Sequence, residues 1–128
     1  MIQSDYIKDL LDLLLDVDND GIQARKQIPF LSEMHFDYTG SGLFVFFEST
    51  QGIENYRVEK VNLVLDGVII QSEGCHFSAQ GILFFKNGFI DYLEIWCYEG
   101  EYPQTELKTY TISQVWNNSK NRIITKLP

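Results

Sequence analysis

The sequence predicts an α+β domain in which one or two N-terminal helices pack on an antiparallel β-meander of about six to seven strands. Three observations carry this prediction. The first stretch repeats its leucines and isoleucines with helical period. From Ser32 onward the chain breaks into short runs rich in β-branched and aromatic residues. The pairs Asp66-Gly67 and Asn87-Gly88 have the composition of two-residue hairpin turns.

At about 100° per residue, residues 4–17 form an amphipathic helix. Ile7, Leu10, Leu11 and Leu14 lie on one side, while Asp5, Asp9, Asp12 and Asp16 fall within a wedge of about 60° on the other. Ser4 suits the N-cap and Asp5 suits the positive end of the helix dipole, but Asp16 stands near the negative end. Like charges four residues apart cost a few tenths of a kcal/mol each, so the ridge weakens an isolated helix. It is read either as a solvated face or as a rigid acidic rod that steers a basic protein partner.

The stretch DVDNDG, residues 16–21, matches the front half of a calcium loop through Asp16, Asp18, Asp20 and Gly21. The twelfth position is Gln27, which lacks the charge of the bidentate glutamate that closes such a loop. The better reading is a second short helix, GIQARKQ, capped through Asp20 and ended near Gln27 by Pro29. No metal or other cofactor is expected.

Residues 32–113 supply the sheet. Asp66-Gly67 is expected to turn VNLVL into VIIQS, and Asn87-Gly88 to turn QGILFFK into FIDYLEIWCY. TGSG at residues 39–42 joins EMHFDY to LFVFFES by a longer loop, and ELKTYTI is the last strand. Residues 117–128 are expected to form a basic C-terminal tail to a single domain spanning 1–128.

A regular hairpin around Asn87-Gly88 sets Phe85 opposite Ile90, Leu83 opposite Tyr92 and Gly81 opposite Glu94, on one face with Trp96 and Tyr98. Ile82, Phe84, Leu93, Ile95 and Cys97 then share the other face. Both faces are apolar, so the helix can cover only one. Tyr92, Glu94, Trp96 and Tyr98 are candidate contact residues, because Tyr and Trp combine large contact area with a polar handle. The competing reading is an ordinary core face with Glu94 at its wet edge.

The formal net charge of −8 argues against nucleic acid and anionic lipid as partners. Removing Lys120, Arg122 and Lys126 of the last twelve residues from that total leaves −11 on the rest. The leucines of the N-terminal segment alternate with aspartates and follow no basic leader, so neither a signal peptide nor a membrane span is expected, and the cytoplasm is the default location. Cys75 and Cys97 form no CxxC pair, and with His35 and His76 they lack zinc spacing. Cys75 adjoins His76, but neighbours on a strand point to opposite faces, which argues against a thiol–imidazole pair. No GxGxxG, GxxxxGK or GxSxG occurs. The sequence therefore points to binding before catalysis, with no catalytic residue assigned.

Within GILFFKNGFIDYLEIWCYEGEYP, residues 81–103, the elements Asn87-Gly88, Leu93-Glu94-Ile95, Tyr98, Gly100-Glu101 and Pro103 stand in a recurring order. In this the chain resembles a broad group of small, mostly uncharacterised bacterial α+β proteins, some of which look like immunity proteins of polymorphic or contact-dependent toxin systems. The resemblance implies a bacterial cytoplasmic protein that neutralises a toxin by covering its basic active or substrate surface. The alternative is a small ligand-binding or enzymatic domain using the aromatic face around Glu94, and the chain is expected as a monomer or homodimer.

Overall fold

The computed structural model describes residues 1–17 and 19–128. Helix α1 (Asp5–Leu14) and short helix α2 (Asn19–Ala24) lead into a 3₁₀ segment (Arg25–Phe30). Seven strands follow: β1 (Leu31–Thr39), β2 (Gly42–Ser49), β3 (Val64–Ser72), β4 (Cys75–Lys86), β5 (Phe89–Gly100), β6 (Tyr110–Gln114) and β7 (Ile123–Lys126). They pair antiparallel in one sheet ordered β1-β2-β5-β4-β3-β6-β7. The fold class is thus α+β, with N-terminal helices on an antiparallel sheet. Its continuous meander is β3-β4-β5, flanked by the hairpins β1-β2 and β6-β7.

Helix α1 forms where its period requires. Ser4 Oγ accepts from Ile7 N at 3.2 Å as the N-cap, and Glu33 accepts from the backbone N–H groups of Gln3 and Ser4 at 2.8–3.2 Å. Ile7, Leu10, Leu11 and Leu14 are fully buried against β3, β4 and β6. Each such side chain contributes roughly 1.5–3 kcal/mol relative to an exposed one. Gly81 of β4 lies directly beneath Leu10 and Leu14, which leaves room for the helix to sit close to the sheet. The helix stops at Leu14, three residues short of the sequence expectation, and Gln114 Nε2 satisfies the orphan carbonyl of Leu13 at 3.1 Å.

Asn87 and Gly88 have φ of 55° and 86° and form the expected two-residue hairpin between Lys86 and Phe89. Asp66-Gly67 does not. It lies inside β3, where the register against β4 shifts between Leu65 and Val68, so it is a bulge in a single strand. Glycine at positive φ serves a bulge as well as a turn, and the pair alone does not distinguish them. The β1-β2 loop is also shorter than expected, with only Gly40 and Ser41 between the paired Thr39 and Gly42.

The basic tail is in fact partly a strand: Ile123–Lys126 pairs with β6. VNLVL and VIIQS therefore merge into one strand and the tail restores the number to seven. The last predicted strand starts at Tyr110 rather than Glu106. Pro29 does not end the helical segment near Gln27, because a 3₁₀ turn carries it to Phe30. Asp20 is the second residue of α2 rather than its cap. Asp18 lies outside the described residues, and the calcium-loop reading falls partly on it. Of its other positions, Asp20 pairs with Lys60 at 3.4 Å and Gln27 points into the core. Among the described residues no three acidic, histidine or cysteine groups are placed to hold a metal ion.

Candidate functional site

The acidic ridge is real as a geometric feature but is occupied from within the chain. Arg122 reaches Asp12 with both guanidinium nitrogens, at 3.2 and 2.9 Å, and Asp16 at 3.4 Å. Arg25 pairs with Asp12 at 2.8 Å, Lys120 with Asp16 at 2.8 Å and Lys126 with Asp5 at 3.2 Å. Tyr110 donates its hydroxyl to Asp9 at 2.6 Å. Three of the four aspartates meet four cations and Asp9 meets a hydroxyl; the four negative and four positive charges cancel, so the net −8 resides on the remaining surface. The expectation of a free acidic rod that steers a partner is thereby corrected: the ridge docks the C-terminal segment against α1.

The pKa shifts follow from that pairing. Burial alone would raise the Asp16 carboxyl, but hydrogen bonds from Lys120, Gln114 and Arg122 outweigh it and bring it down to about 2. For Asp12 burial is likewise overcome by Arg122 and Arg25, and Asp5 is lowered chiefly by its hydrogen bond to Lys126. Burial, followed by the bond to Asp9, pushes the Tyr110 hydroxyl well above its ordinary value.

The second candidate, the face bearing Tyr92, Glu94, Trp96 and Tyr98, comes out differently. Strand β5 carries two register shifts against β4, one between Phe84 and Phe85 and one between Ser78 and Ala79. The first sets Phe85 opposite Ile90 as expected but Phe84 opposite Tyr92 and Leu83 opposite Leu93. One extra residue turns all that follows to the other face. Leu83, Leu93, Ile95, Ala79 and Gly81 therefore face the helix, where Leu83 and Leu93 are fully buried. Phe84 and Ile82 join Tyr92, Glu94 and Trp96 on the outer side, and Gly81 lies opposite Ile95 instead of Glu94.

The outer residues line up across the sheet in three rows. His35, Phe46, Tyr92, Phe84 and Val64 are successive register partners on β1, β2, β5, β4 and β3. Asp37, Phe44, Glu94 and Ile82 form the second row. Trp96, Gln80 and Ile69 continue a third. The rings touch along and across strands: Phe84 stacks on Tyr92 with centroids 4.5 Å apart, Phe46 lies 5.7 Å and Phe44 6.1 Å from Tyr92, and Tyr98 lies 5.9 Å from Trp96. Among the described residues no helix covers this face, and Trp96, Tyr98 and Val64 are 44%, 47% and 50% exposed. At about 4.8 Å between strands and 6.8 Å between rows, the rows span roughly 19 by 14 Å.

The clefts lie elsewhere. One of about 470 Å³ is lined by Gln3, Ser4, Glu33, Phe36, Tyr38 and Glu106 near the start of α1. Another of about 530 Å³ at the β3-β4 turn contains Cys75, His76, Glu73 and Glu99. Cys75 and His76 both border this cleft as neighbours at the start of β4, and no hydrogen bond joins thiol to imidazole. None of these clefts is lined by Tyr92, Glu94, Trp96 or Tyr98. No helix is long and apolar enough to cross a membrane among the described residues. No family model, curated protein or solved structure matches the chain.

Proposed function

We propose that this is a non-catalytic protein-binding domain whose working surface is the outer face of the sheet. The observation that carries the reading is the set of half-exposed aromatic rows from β1 to β4 with no helix or strand of the described residues over them. Large apolar patches of this kind mark interaction sites in soluble proteins. The rings are of the types that dominate binding energy when desolvated. The partner we infer is a cationic protein in the bacterial cytoplasm, and the resemblance to immunity proteins makes a toxin domain the leading candidate. The negative charge outside the ridge favours encounter with such a partner.

The enzymatic alternative at Glu94 draws less support, since an open sheet face does not enclose a substrate as a pocket does. The test is calorimetric binding of the purified chain to cationic bacterial toxin domains, any that a neighbouring gene encodes first among them. Trp96→Ala and Tyr92→Ala should each weaken binding by at least about 10-fold, as expected of interface hot spots, while Glu59→Gln on a distant loop should not. Full affinity retained in both aromatic variants would overturn the proposal.

A further inference from the structure

Glu94 stands at the centre of the outer face. Its neighbours along β5 on that face are Tyr92 and Trp96, and its register partners on either side are Phe44 and Ile82. It makes no ion pair or side-chain hydrogen bond with any described residue, and neither does Asp37 in the same row. The contrast with the helix ridge is informative. There the chain supplies a cation or hydroxyl to every carboxylate, whereas on the aromatic face it supplies none.

We propose that Glu94 is the anchor for an arginine side chain of the partner, held as a flat guanidinium among Phe44, Tyr92 and Trp96; this rests on the outer face being the docking surface. A partner that covers the rings also removes water from Glu94. A carboxylate buried without a counter-charge is costly, so a fitting partner must bring a cation to that point. Arginine suits the surroundings better than lysine. Its planar guanidinium pairs with a carboxylate through two parallel hydrogen bonds, stacks on aromatic rings and sheds water more readily than an ammonium group.

The same reasoning excludes a second copy of this chain as the occupant. Two outer faces set together would bring two Glu94 and two Asp37 into one dry interface, and the three rows contain no lysine or arginine to answer them. The nearest cation in register, Lys86, stands at the hairpin end of β4, beyond the first row.

The test uses the full chain, labelled with ¹⁵N, titrated with the N-acetyl methylamides of arginine, citrulline, lysine and leucine. The arginine compound should shift the Tyr92 and Glu94 amides and the Trp96 indole N–H with an apparent Kd at least about 5-fold below the citrulline and lysine compounds. Glu94→Gln should abolish that preference without changing the spectrum elsewhere. Equal responses to leucine and arginine on this face would overturn the arginine anchor while leaving the docking surface in place. An arginine response mapping to the Glu33 and Glu106 cleft would also overturn it. No response of the outer face to any of the four compounds would overturn both. Sedimentation as a dimer that Trp96→Ala dissolves would show the occupant to be a second copy and would likewise overturn the proposal.

Discussion

Arg122 and Asp12 form a two-pronged pair, with Nη1 donating to Oδ1 at 3.2 Å and Nη2 to Oδ2 at 2.9 Å, which ties the segment before the last strand to the first helix across 110 residues of sequence. Asp16 extends the pair on one side and Arg25 on the other. The helix alone is burdened by its aspartates, and the folded chain turns that burden into a means of holding a short edge strand.

Loss of the fork should therefore loosen β7. Both side chains are about a third exposed, which limits the effect, so Arg122→Gln is expected to cost on the order of 1 kcal/mol in urea unfolding. Arg122→Lys should recover only part of it, since an ammonium group cannot reproduce the two parallel bonds. Hydrogen exchange at Ile124 and Thr125 should accelerate in both variants. Unchanged exchange there would show that the backbone pairing with β6 holds β7 unaided.

Stability should fall in acid through Asp16. Its folded pKa is depressed to about 2 from an ordinary 3.8, so its contribution is fully present above about pH 4 and is lost as pH falls towards 2. Allowing for solvent screening of the exposed Lys120 end, that contribution is on the order of 1 kcal/mol. Asp16→Asn should flatten the stability profile between pH 4 and 2 in chemical denaturation. A variant with the same slope as the parent would disprove the assignment.

Gln27 is fully buried with its amide committed on both sides: Nε2 donates to the carbonyls of Tyr56 and Gly88 at 2.9 and 3.0 Å, and Oε1 accepts from Ile90 N at 2.8 Å. Gln27→Leu would leave the Tyr56 carbonyl and the Ile90 N–H without this partner and remove one of the two donors to the Gly88 carbonyl, which Val58 N also meets at 3.0 Å. A loss of about 2–4 kcal/mol is expected, read from the shift in urea midpoint.

Two glycines should respond in opposite ways to alanine. Gly42 has φ of 152°, and a Cβ there would overlap the carbonyl of Ile95, so Gly42→Ala should part β2 from β5 and cost upwards of about 2 kcal/mol. A Cβ on Gly81 would meet Leu10 and Leu14 at 3.6 and 3.7 Å, ordinary contact distances, so Gly81→Ala should be neutral or stabilise by up to about 1 kcal/mol. Thermal unfolding of the pair checks both.

The local features of the fold were legible where a short stretch decides them. Helical period placed Ile7, Leu10 and Leu14 on the buried side of α1, Ser4 at its cap, and Asn87-Gly88 in a turn. The aromatic residues Tyr92, Trp96 and Tyr98 were recognisable as a group with Glu94. Three matters were beyond local pattern. Whether Asp66-Gly67 turns the chain or bulges it depends on which strand pairs beside it. The faces of β4 and β5 depend on one extra residue near Asp91, and a single-residue slip reverses inside and outside. The fate of Asp5, Asp9, Asp12 and Asp16 depends chiefly on Tyr110, Lys120, Arg122 and Lys126, about a hundred residues away.

By itself, then, the sequence determined the secondary-structure class, the apolar stripe that the helix buries and the supply of acidic and aromatic side chains, because these follow from periods of a few residues. The tertiary structure alone decided which carboxylates are answered and which face remains open. Charge pairing and burial are properties of groups brought together in space, and the β6-β7 hairpin with its connecting segment brings Tyr110, Lys120, Arg122 and Lys126 to the helix while leaving Glu94 among its rings unpaired.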